Sequence, residues 1–248
     1  MMIKGLNQAQ KVACVSEQTK SDVLRLTFLD ESAVSVICVG LNYPYTPMTA
    51  REAKQRLEAL GISLNCRFIL HVGANHWYKN RMGVLSIFER LLKLKQSELY
   101  LVMVGKPMTD EMRYFIKTHK LANKLIELVK VDNENLRSLY SSATALLFPS
   151  LQEGFGWPII EAQACGCPVF TSNRPPMNDV GGEAAIYIEP DNPQSAAEKI
   201  AYYLPKIETL KSKGFVNAQR FTADKMISEY VALYHQLLDD KTKKTKKL

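Results

Sequence analysis

From residue 49 onward, short apolar segments alternate with longer amphipathic ones. The apolar segments are rich in Val, Ile, Leu and Ala and fall at residues 67–72, 99–104, 125–131 and 143–148. Strands that are apolar on both faces are typical of parallel sheets, because crossover helices cover both sides of such a sheet. The alternation therefore predicts an α/β fold with a doubly wound parallel sheet.

The loops that follow the predicted strands are the places to look for chemistry. In a doubly wound sheet, ligands bind beyond the carboxyl ends of the strands, where loops lead into helices. These loops are 73–79, 105–108, 131–134 and 149–157. Two more strands are predicted at 168–171 and 184–188, and helices are predicted at 49–60, 79–95, 109–119, 133–142, 193–204, 206–219 and 223–238.

The first 47 residues have a different organisation. Residues 11–16 and 35–41 predict two strands, and Ser16 caps a helix that runs to about residue 29. Segment 42–47 contains two prolines, which break regular structure and are typical of a linker. We therefore place a domain boundary between Asn42 and Tyr43.

The charge of the chain is concentrated at its C-terminus. The formal net charge is +7, but five lysines fall in the last eight residues, and the remainder carries 27 basic against 25 acidic residues. We find neither a basic stripe nor a recognition motif within the fold, so no nucleic-acid partner is expected. The lysine-rich tail is interpreted as a solvated terminus, and contact with anionic lipid headgroups is the alternative.

The five cysteines favour a reduced, cytoplasmic protein. They are odd in number and each lies in or beside an apolar segment, as small hydrophobic residues do: Cys14, Cys38, Cys66, Cys165 and Cys167. They lack the paired spacing of a zinc site, so no metal is predicted. No apolar segment is long enough to span a membrane, which predicts a cytoplasmic location and leaves open peripheral contact with the inner membrane face.

A glycine-containing loop leads directly into a predicted helix that Pro158 opens. Gly154, Phe155, Gly156 and Trp157 lie at the carboxyl end of a strand. Glycines let a ligand approach the backbone closely, and the N–H groups at a helix start favour an anion such as phosphate. The alternative is a tight turn that requires a positive φ.

Two glutamates flank this loop, with seven residues between them. Glu153 precedes the loop, and Glu161 is predicted in the first turn of the helix. Carboxylates beside an anion site are unfavourable unless hydroxyl donors satisfy them, and vicinal sugar hydroxyls do so. The pattern favours a nucleotide sugar. The alternatives are a helix-dipole partner for Glu161 and a solvated loop residue for Glu153.

The loop that starts at Gly73 brings cations to the same edge of the sheet. Lys79 follows the strand at 67–72, and Arg81 lies two positions further along. A cation at this position neutralises the diphosphate that leaves when a glycosidic phosphate bond breaks. Lys79 is therefore predicted to bind the diphosphate, Arg81 is a second candidate, and no metal is required.

These residues resemble a known family. The segment Glu153-Gly-Phe-Gly-Trp-Pro-Ile-Ile-Glu161, followed by Ala164-x-Gly166-x-Pro168-Val169, resembles the E-x7-E signature of group 1 retaining glycosyltransferases of family 4, which have the GT-B fold. The resemblance extends over most of the chain, through HVGANHWYKNR, LVMVG, NLRSLYSSATALLFPS and GGEAAIYIEPDNP.

The resemblance implies a role for each residue of the site. Glu161 is expected to bind ribose hydroxyls, Lys79 the diphosphate, and Glu153 with the loop backbone the donor hexose and phosphates. The base is expected near the end of the third strand of the alternating region. The further binding residues are Gly73, Gly154, Phe155, Gly156, Trp157, Val129, Lys130 and Val131.

Two positions depart from the family pattern. The family often has Arg directly after the glycine that corresponds to Gly73, and Ala74 occupies that position here. Either Arg81 supplies the second charge or the diphosphate site is weaker. In addition, the segment KVACVSEQTKSDVLRL resembles only the last strand and helix of the family's N-terminal acceptor domain.

The resemblance therefore implies half of a GT-B enzyme. We expect a remnant of the acceptor domain at 1–42, a Rossmann-like nucleotide-sugar-binding domain at 43–221, a crossover helix at 222–238 and the lysine-rich tail at 239–248. The crossover helix is expected to pack against the acceptor domain, and burial against the Rossmann-like sheet is the alternative.

The predicted function is transfer of a hexose from a nucleotide-diphosphate sugar, with retention, in polysaccharide or glycan biosynthesis. The acceptor is a glycan or a lipid-linked group, and a second copy or a partner is expected to supply the acceptor domain. The alternative is a nucleotide-sugar-binding module, partner subunit or gene remnant without activity. A dinucleotide oxidoreductase is disfavoured because no G-x-G-x-x-G follows the first strand.

Overall fold

The computed structural model describes residues 2–63, 67–94 and 98–245. Cys66 and the last three residues of the lysine-rich tail lie outside the described residues. The chain forms two compact units. The smaller contains the residues up to Asn42 together with those from Arg220 onward, and the larger contains Tyr43–Gln219.

The N-terminal part of the smaller unit contains two short helices and two short strands. They are α1 (Met2–Leu6), β1 (Val12–Cys14), α2 (Glu17–Leu26) and β2 (Val34–Val36). The two strands pair in parallel, and Ser16 caps α2 as predicted. The strand expected at 35–41 is shorter, because the chain leaves the ladder after Ile37 and the N–H of Leu41 instead donates to the Phe221 carbonyl.

The larger unit is built on a six-stranded parallel sheet. Its strands are β3 (Arg67–Gly73), β4 (Leu99–Gly105), β5 (Leu125–Val129), β6 (Ala145–Phe148), β7 (Val169–Ser172) and β8 (Ala185–Ile188). The strand order is β5-β4-β3-β6-β7-β8, so the direction of winding reverses between β3 and β6. The predicted doubly wound sheet is therefore confirmed, and its topological switch point lies between these two strands.

Helices cover both faces of this sheet. They are α3 (Ala50–Ala59), α4 (Arg81–Lys93), α5 (Asp110–Thr118), α6 (Asn133–Ser142), α7 (Trp157–Ala164), α8 (Met177–Gly181), α9 (Pro193–Tyr203) and α10 (Thr209–Ala218). Side chains of α4, α5 and α9 share a core with alternate residues of the strands, such as Ile69, Leu101 and Leu147. On the other face α3 packs against α6, and α7 packs against α10 and β6.

Several predicted boundaries move, and backbone conformation explains two of them. The strand predicted at 125–131 ends at Val129, because Lys130 adopts a left-handed φ of 59°. The helix predicted from residue 79 begins at Arg81, because Asn80 has a φ of 52° and caps it. By contrast, the capping box of Thr49 and Glu52 at the start of α3 is confirmed.

The last helix, α11 (Ala223–Thr245), belongs to the smaller unit and is longer than the predicted 223–238. The Gly40 N–H contacts the sulfur of Met226 at 3.3 Å, and a Cβ at Gly40 would lie 2.6 Å from the backbone nitrogen of Ala223. The helix thus packs closely against the end of the N-terminal segment. Within the described part of the chain, every helix lacks the length or the apolar character that a membrane crossing needs.

Candidate functional site

The site residues come together at the switch point of the larger unit. The loop after β3 carries Gly73 and Lys79, and the loop after β6 carries Glu153 and leads into α7. The two loops are joined by a backbone hydrogen bond from the Leu151 N–H to the Tyr78 carbonyl, at 2.7 Å. Because adjacent strands of opposite winding leave a crevice at their carboxyl ends, this is where a ligand is expected in such a sheet.

Lys79 and Glu153 form an ion pair in this crevice. The Lys79 ammonium lies 2.7 Å from one carboxylate oxygen of Glu153 and 3.0 Å from the other. Their side chains are 17% and 8% exposed. The cation assigned to a diphosphate and the carboxylate assigned to a hexose therefore neutralise each other in the free protein, which keeps both charged groups stable at a largely buried position.

Asn80 fixes the position of Lys79, and sequence reasoning missed it. Its side-chain oxygen accepts from the Gly83 N–H at 3.2 Å, and its amide nitrogen donates to the Pro149 carbonyl at 3.0 Å. One side chain thus ends the loop after β3, starts α4 and binds the loop after β6. The signal in the sequence was weak, because an Asn before a helix is usually only a cap.

A few residues after Glu153, α7 begins without a side-chain cap. Gly156 is the N-cap of α7, with a φ of 109° that favours glycine and no side-chain capping bond. Gly154 and Phe155 precede it, Trp157 is the first helical residue and Pro158 follows. The sequence predicted this loop-to-helix junction correctly, and a helix start without a side-chain cap favours phosphate oxygens.

Glu161 lies in the second turn of α7, and its predicted place in the first turn is wrong. The helix begins at Trp157, so Glu161 is its fifth residue. Helical side chains lean toward the N-terminus, so the carboxylate still points back toward the loop. It is only 7% exposed, and its Oε2 accepts a hydrogen bond of 2.9 Å from the buried hydroxyl of Tyr140.

Burial raises the pKa of Glu161 to about 7, although the Tyr140 hydroxyl and the Lys79 ammonium both lower it. Removal from water disfavours the charged carboxylate, and one phenol and a more distant cation compensate only in part. Glu161 therefore resists ionisation near neutral pH more than an exposed glutamate does. A ligand that brings hydroxyl donors would favour the ionised form.

Arg81 lies beneath the loop rather than on its surface. The residue is 2% exposed, and its guanidinium donates to the Lys106 carbonyl at 2.8 Å and contacts the side-chain oxygen of Asn75. Its Nε and Nη2 are buried without a hydrogen-bond partner among the described residues. Arg81 thus ties the loop after β3 to the loop after β4 and places a positive charge below the crevice.

The nearby His71 is neutral and structural. Its Nδ1 donates to the Leu147 carbonyl at 3.0 Å, which joins β3 to β6. Burial, with smaller contributions from the charges of Arg81 and Lys79, lowers the pKa of this histidine to about 4, although the hydrogen bond to Leu147 raises it. An imidazole with this pKa does not serve as a cation near neutral pH.

The residues expected near the base lie two strands away from the switch point. Val129 ends β5 and is 41% exposed, Lys130 has the left-handed conformation, and Val131 leads to the Asp132 cap of α6. Between them and the crevice, Gly73 and Gly105 end paired strands. Val129 thus leaves an apolar surface exposed at the end of β5.

Comparison with known proteins identifies the family. The model for group 1 glycosyl transferases matches residues 52–241. O-antigen chain mannosyltransferase B of Escherichia coli is 24% identical over 239 residues, which cover 94% of this chain and 62% of that protein. O-antigen chain mannosyltransferase RfbU of Salmonella typhimurium is 28% identical over 194 residues, which cover 77% of this chain and 50% of that protein.

A solved structure agrees at the level of the fold. The Anabaena protein HepE, crystallised with UDP and glucose, aligns with a TM-score of 0.85 and 16% identity over 95% of this chain and 66% of its own. The predicted fold, one half of a GT-B protein, is therefore confirmed. This chain thus spans about half to two thirds of the length of these relatives. Because the family model covers well over half of the chain, the protein belongs to the group 1 glycosyltransferases.

Proposed function

We propose that the larger unit binds a nucleotide-diphosphate sugar and that the transferred group is a hexose. The observation that carries this proposal is the convergence of Lys79, the uncapped start of α7, Glu153 and Glu161 at the switch point. A cation and a helix N-terminus suit a diphosphate, whereas two carboxylates suit sugar hydroxyls. UDP and glucose in the crystals of HepE support the same class of ligand.

Donor binding must rearrange the ion pair. Lys79 would turn from Glu153 to the diphosphate, where negative charge grows as the glycosidic bond breaks. Glu153 would then accept hydroxyls of the hexose, and Glu161 those of the ribose. The exposed apolar end of β5, with Val129, Lys130 and Val131, would hold the base. Arg81 would add positive charge from below.

We further propose retention of the anomeric configuration and a role in polysaccharide or glycan biosynthesis. The names of the two O-antigen mannosyltransferases support the second part. The acceptor would be a glycan or a lipid-linked group, with the protein in the cytoplasm or at the inner membrane face. The anomeric proton of the product, observed by NMR as it forms, distinguishes retention from inversion.

A calorimetric screen of UDP-, GDP- and ADP-sugars tests donor binding. We expect one nucleotide to bind, and we expect chelation of divalent metals to leave its affinity unchanged. Absence of binding to all three, or tight binding of a nicotinamide cofactor, would refute the proposal.

A second candidate is a nucleotide-sugar-binding module that does not transfer the sugar by itself. The chain spans only 62% and 50% of the two mannosyltransferases, so part of each has no counterpart in these 248 residues. Donor hydrolysis by the purified chain decides between the two candidates. Turnover excludes the inactive module, whereas binding without turnover favours it.

We also propose that a second copy or a partner covers the smaller unit. A row of exposed apolar side chains at helical spacing runs along α11: Ile227, Val231, Tyr234 and Leu238. Light scattering coupled to gel filtration tests self-association. A monomer at all concentrations would favour a separate partner.

A further inference from the structure

Glu161, the residue proposed to bind ribose, contacts Tyr140, a residue that the proposed function does not use. The Tyr140 hydroxyl is fully buried in α6 and donates to Oε2 of Glu161 at 2.9 Å. A carboxylate has two oxygens, and this bond engages only one of them. Oε1 therefore lies outside the Tyr140 contact.

The position of Tyr140 is fixed by the segment that opens the larger unit. The ring of Tyr45 packs edge-on against the Tyr140 ring, with their centroids 6.0 Å apart. The Met48 N–H donates to Ser141 Oγ at 3.0 Å, and Arg137 Nε donates to the Thr46 carbonyl at 2.7 Å. Segment 43–48 thus holds α6 on both sides of the tyrosine, so that its hydroxyl has little freedom to move.

We propose that Tyr140 is a positioning residue for the nucleotide, because its hydroxyl holds Oε2 of Glu161 so that Oε1 accepts the ribose hydroxyls. This inference rests on the proposed function. Tyr140 does not touch the ligand in this arrangement. It limits the rotation of the carboxylate and, by donating to the charged form, favours ionisation at a site poor in water.

The other groups that face Glu161 do not replace this bond. Tyr45 approaches from segment 43–48, Cys165 lies further along α7, and Lys79 lies in the loop after β3. Of these, only Lys79 is a cation, and its ammonium is bound to Glu153. Tyr140 is therefore the hydrogen-bond donor that stabilises the ionised form of Glu161.

Carbon-13 NMR of the glutamate carboxyl groups tests the contact in the ligand-free protein. The Glu161 signal is assigned by its loss in Glu161→Gln. We expect Tyr140→Phe to raise the midpoint of the Glu161 titration by about one to two pH units, from loss of a hydrogen bond to a charged acceptor. Tyr45→Phe is the matched control, because it removes a hydroxyl from the neighbouring ring and should leave the midpoint near that of the wild type.

A second variant covers the case in which Tyr140→Phe fails to fold. Site-specific 3,5-difluorotyrosine at position 140 keeps the ring and makes the hydroxyl a stronger donor. We expect the Glu161 midpoint to fall. Midpoints that stay unchanged in the substituted proteins would overturn the proposal.

Nucleotide binding provides the functional readout. UDP, GDP and ADP are titrated between pH 6 and pH 8 into the wild type, Tyr140→Phe and Tyr45→Phe. We expect the wild-type affinity to rise with pH and the profile of Tyr140→Phe to shift to higher pH, with about fivefold to tenfold weaker binding at pH 7. A wild type that binds none of the three overturns this proposal and the proposed function together. A bound nucleotide with identical profiles for all three proteins overturns this proposal alone.

Discussion

Glu153 and Glu161 are the same residue type at the two ends of one loop and helix, yet their surroundings differ. Both oxygens of Glu153 contact the Lys79 ammonium. Glu161 has a phenol as its hydrogen-bond donor, and burial raises its pKa to about 7. The first carboxylate is compensated by a cation in direct contact, whereas the second is compensated by one neutral donor and, more weakly, by the more distant Lys79.

This difference teaches how a free protein can keep an acidic pair beside a proposed anion site. The charge of Glu153 is balanced by the Lys79 cation, and the raised pKa of Glu161 disfavours its charged form. In the proposed function, both compensations would end when a nucleotide sugar supplied phosphate to the cation and hydroxyls to the carboxylates. The following substitutions separate the two mechanisms.

The largest effect is expected from Lys79→Met. It removes the cation of the crevice and leaves Glu153 as an unpaired, largely buried charge, so nucleoside diphosphate affinity should fall by about 100-fold. Calorimetry with the nucleotide that binds the wild type measures the change. Lys117→Met, on the exposed surface of α5, controls for the loss of one positive charge, and equal losses in both variants would refute the assignment.

Glu161→Gln should increase the stability of the folded protein and weaken nucleotide binding. The folded-state pKa of Glu161 is raised, so ionisation of this carboxyl destabilises the folded protein. This destabilisation is absent below the unfolded pKa near 4.5 and grows as pH rises toward 7. We therefore expect glutamine to increase the free energy of unfolding by about 2 to 3 kcal/mol at pH 8 and by little at pH 4.5. Nucleotide affinity should fall about tenfold.

Urea unfolding at the two pH values measures the stability change. An equal gain at pH 4.5 and pH 8 would show that titration of Glu161 is not its cause.

Glu153→Gln should change the affinities for free nucleoside diphosphate and for the nucleotide sugar by different amounts. Free nucleoside diphosphate should bind about threefold to tenfold more tightly, because Lys79 no longer has to leave a carboxylate. The nucleotide sugar should gain less or lose affinity, because a hydroxyl acceptor for the hexose is weakened. A competition assay with both ligands measures the ratio, and an unchanged ratio would remove Glu153 from the hexose site.

The smallest effect on affinity is expected from Arg81→Lys. Lysine keeps the charge below the crevice but cannot donate to both loops as the guanidinium does. Nucleotide affinity should stay within about threefold of the wild type, while the free energy of unfolding falls by about 1 to 2 kcal/mol. A loss of affinity as large as that of Lys79→Met would show that Arg81 binds the diphosphate directly.

The sequence was sufficient for the parts of this fold that depend on local pattern. Continuous apolar strands such as β4 predict a covered parallel sheet, and Thr49 with Glu52 predicts the start of α3. The positions of Glu153 and Glu161 around a glycine loop were also readable. These features depend on neighbours along the chain, so periodicity and capping rules apply to them directly.

The contacts that define the site join residues that are far apart in the sequence, so the sequence alone did not predict them. Lys79 and Glu153 are 74 positions apart, and Tyr140 and Glu161 are 21 apart. Tyr140 follows Leu139 in an amphipathic helix and looks like one more core residue. Its hydroxyl became significant only when the fold placed it beside a carboxylate.

The paired ends of β3 and β4 limit how this surface can diversify. A Cβ at Gly105, where φ is +148°, would lie 2.1 Å from the carbonyl oxygen of Gly73. Saturation mutagenesis at this position should therefore return glycine alone, whereas the half-exposed Val129 at the end of the next strand should accept many side chains. A search for variants with a new nucleotide preference would do best to leave the glycine pair untouched and to concentrate its library at the end of β5.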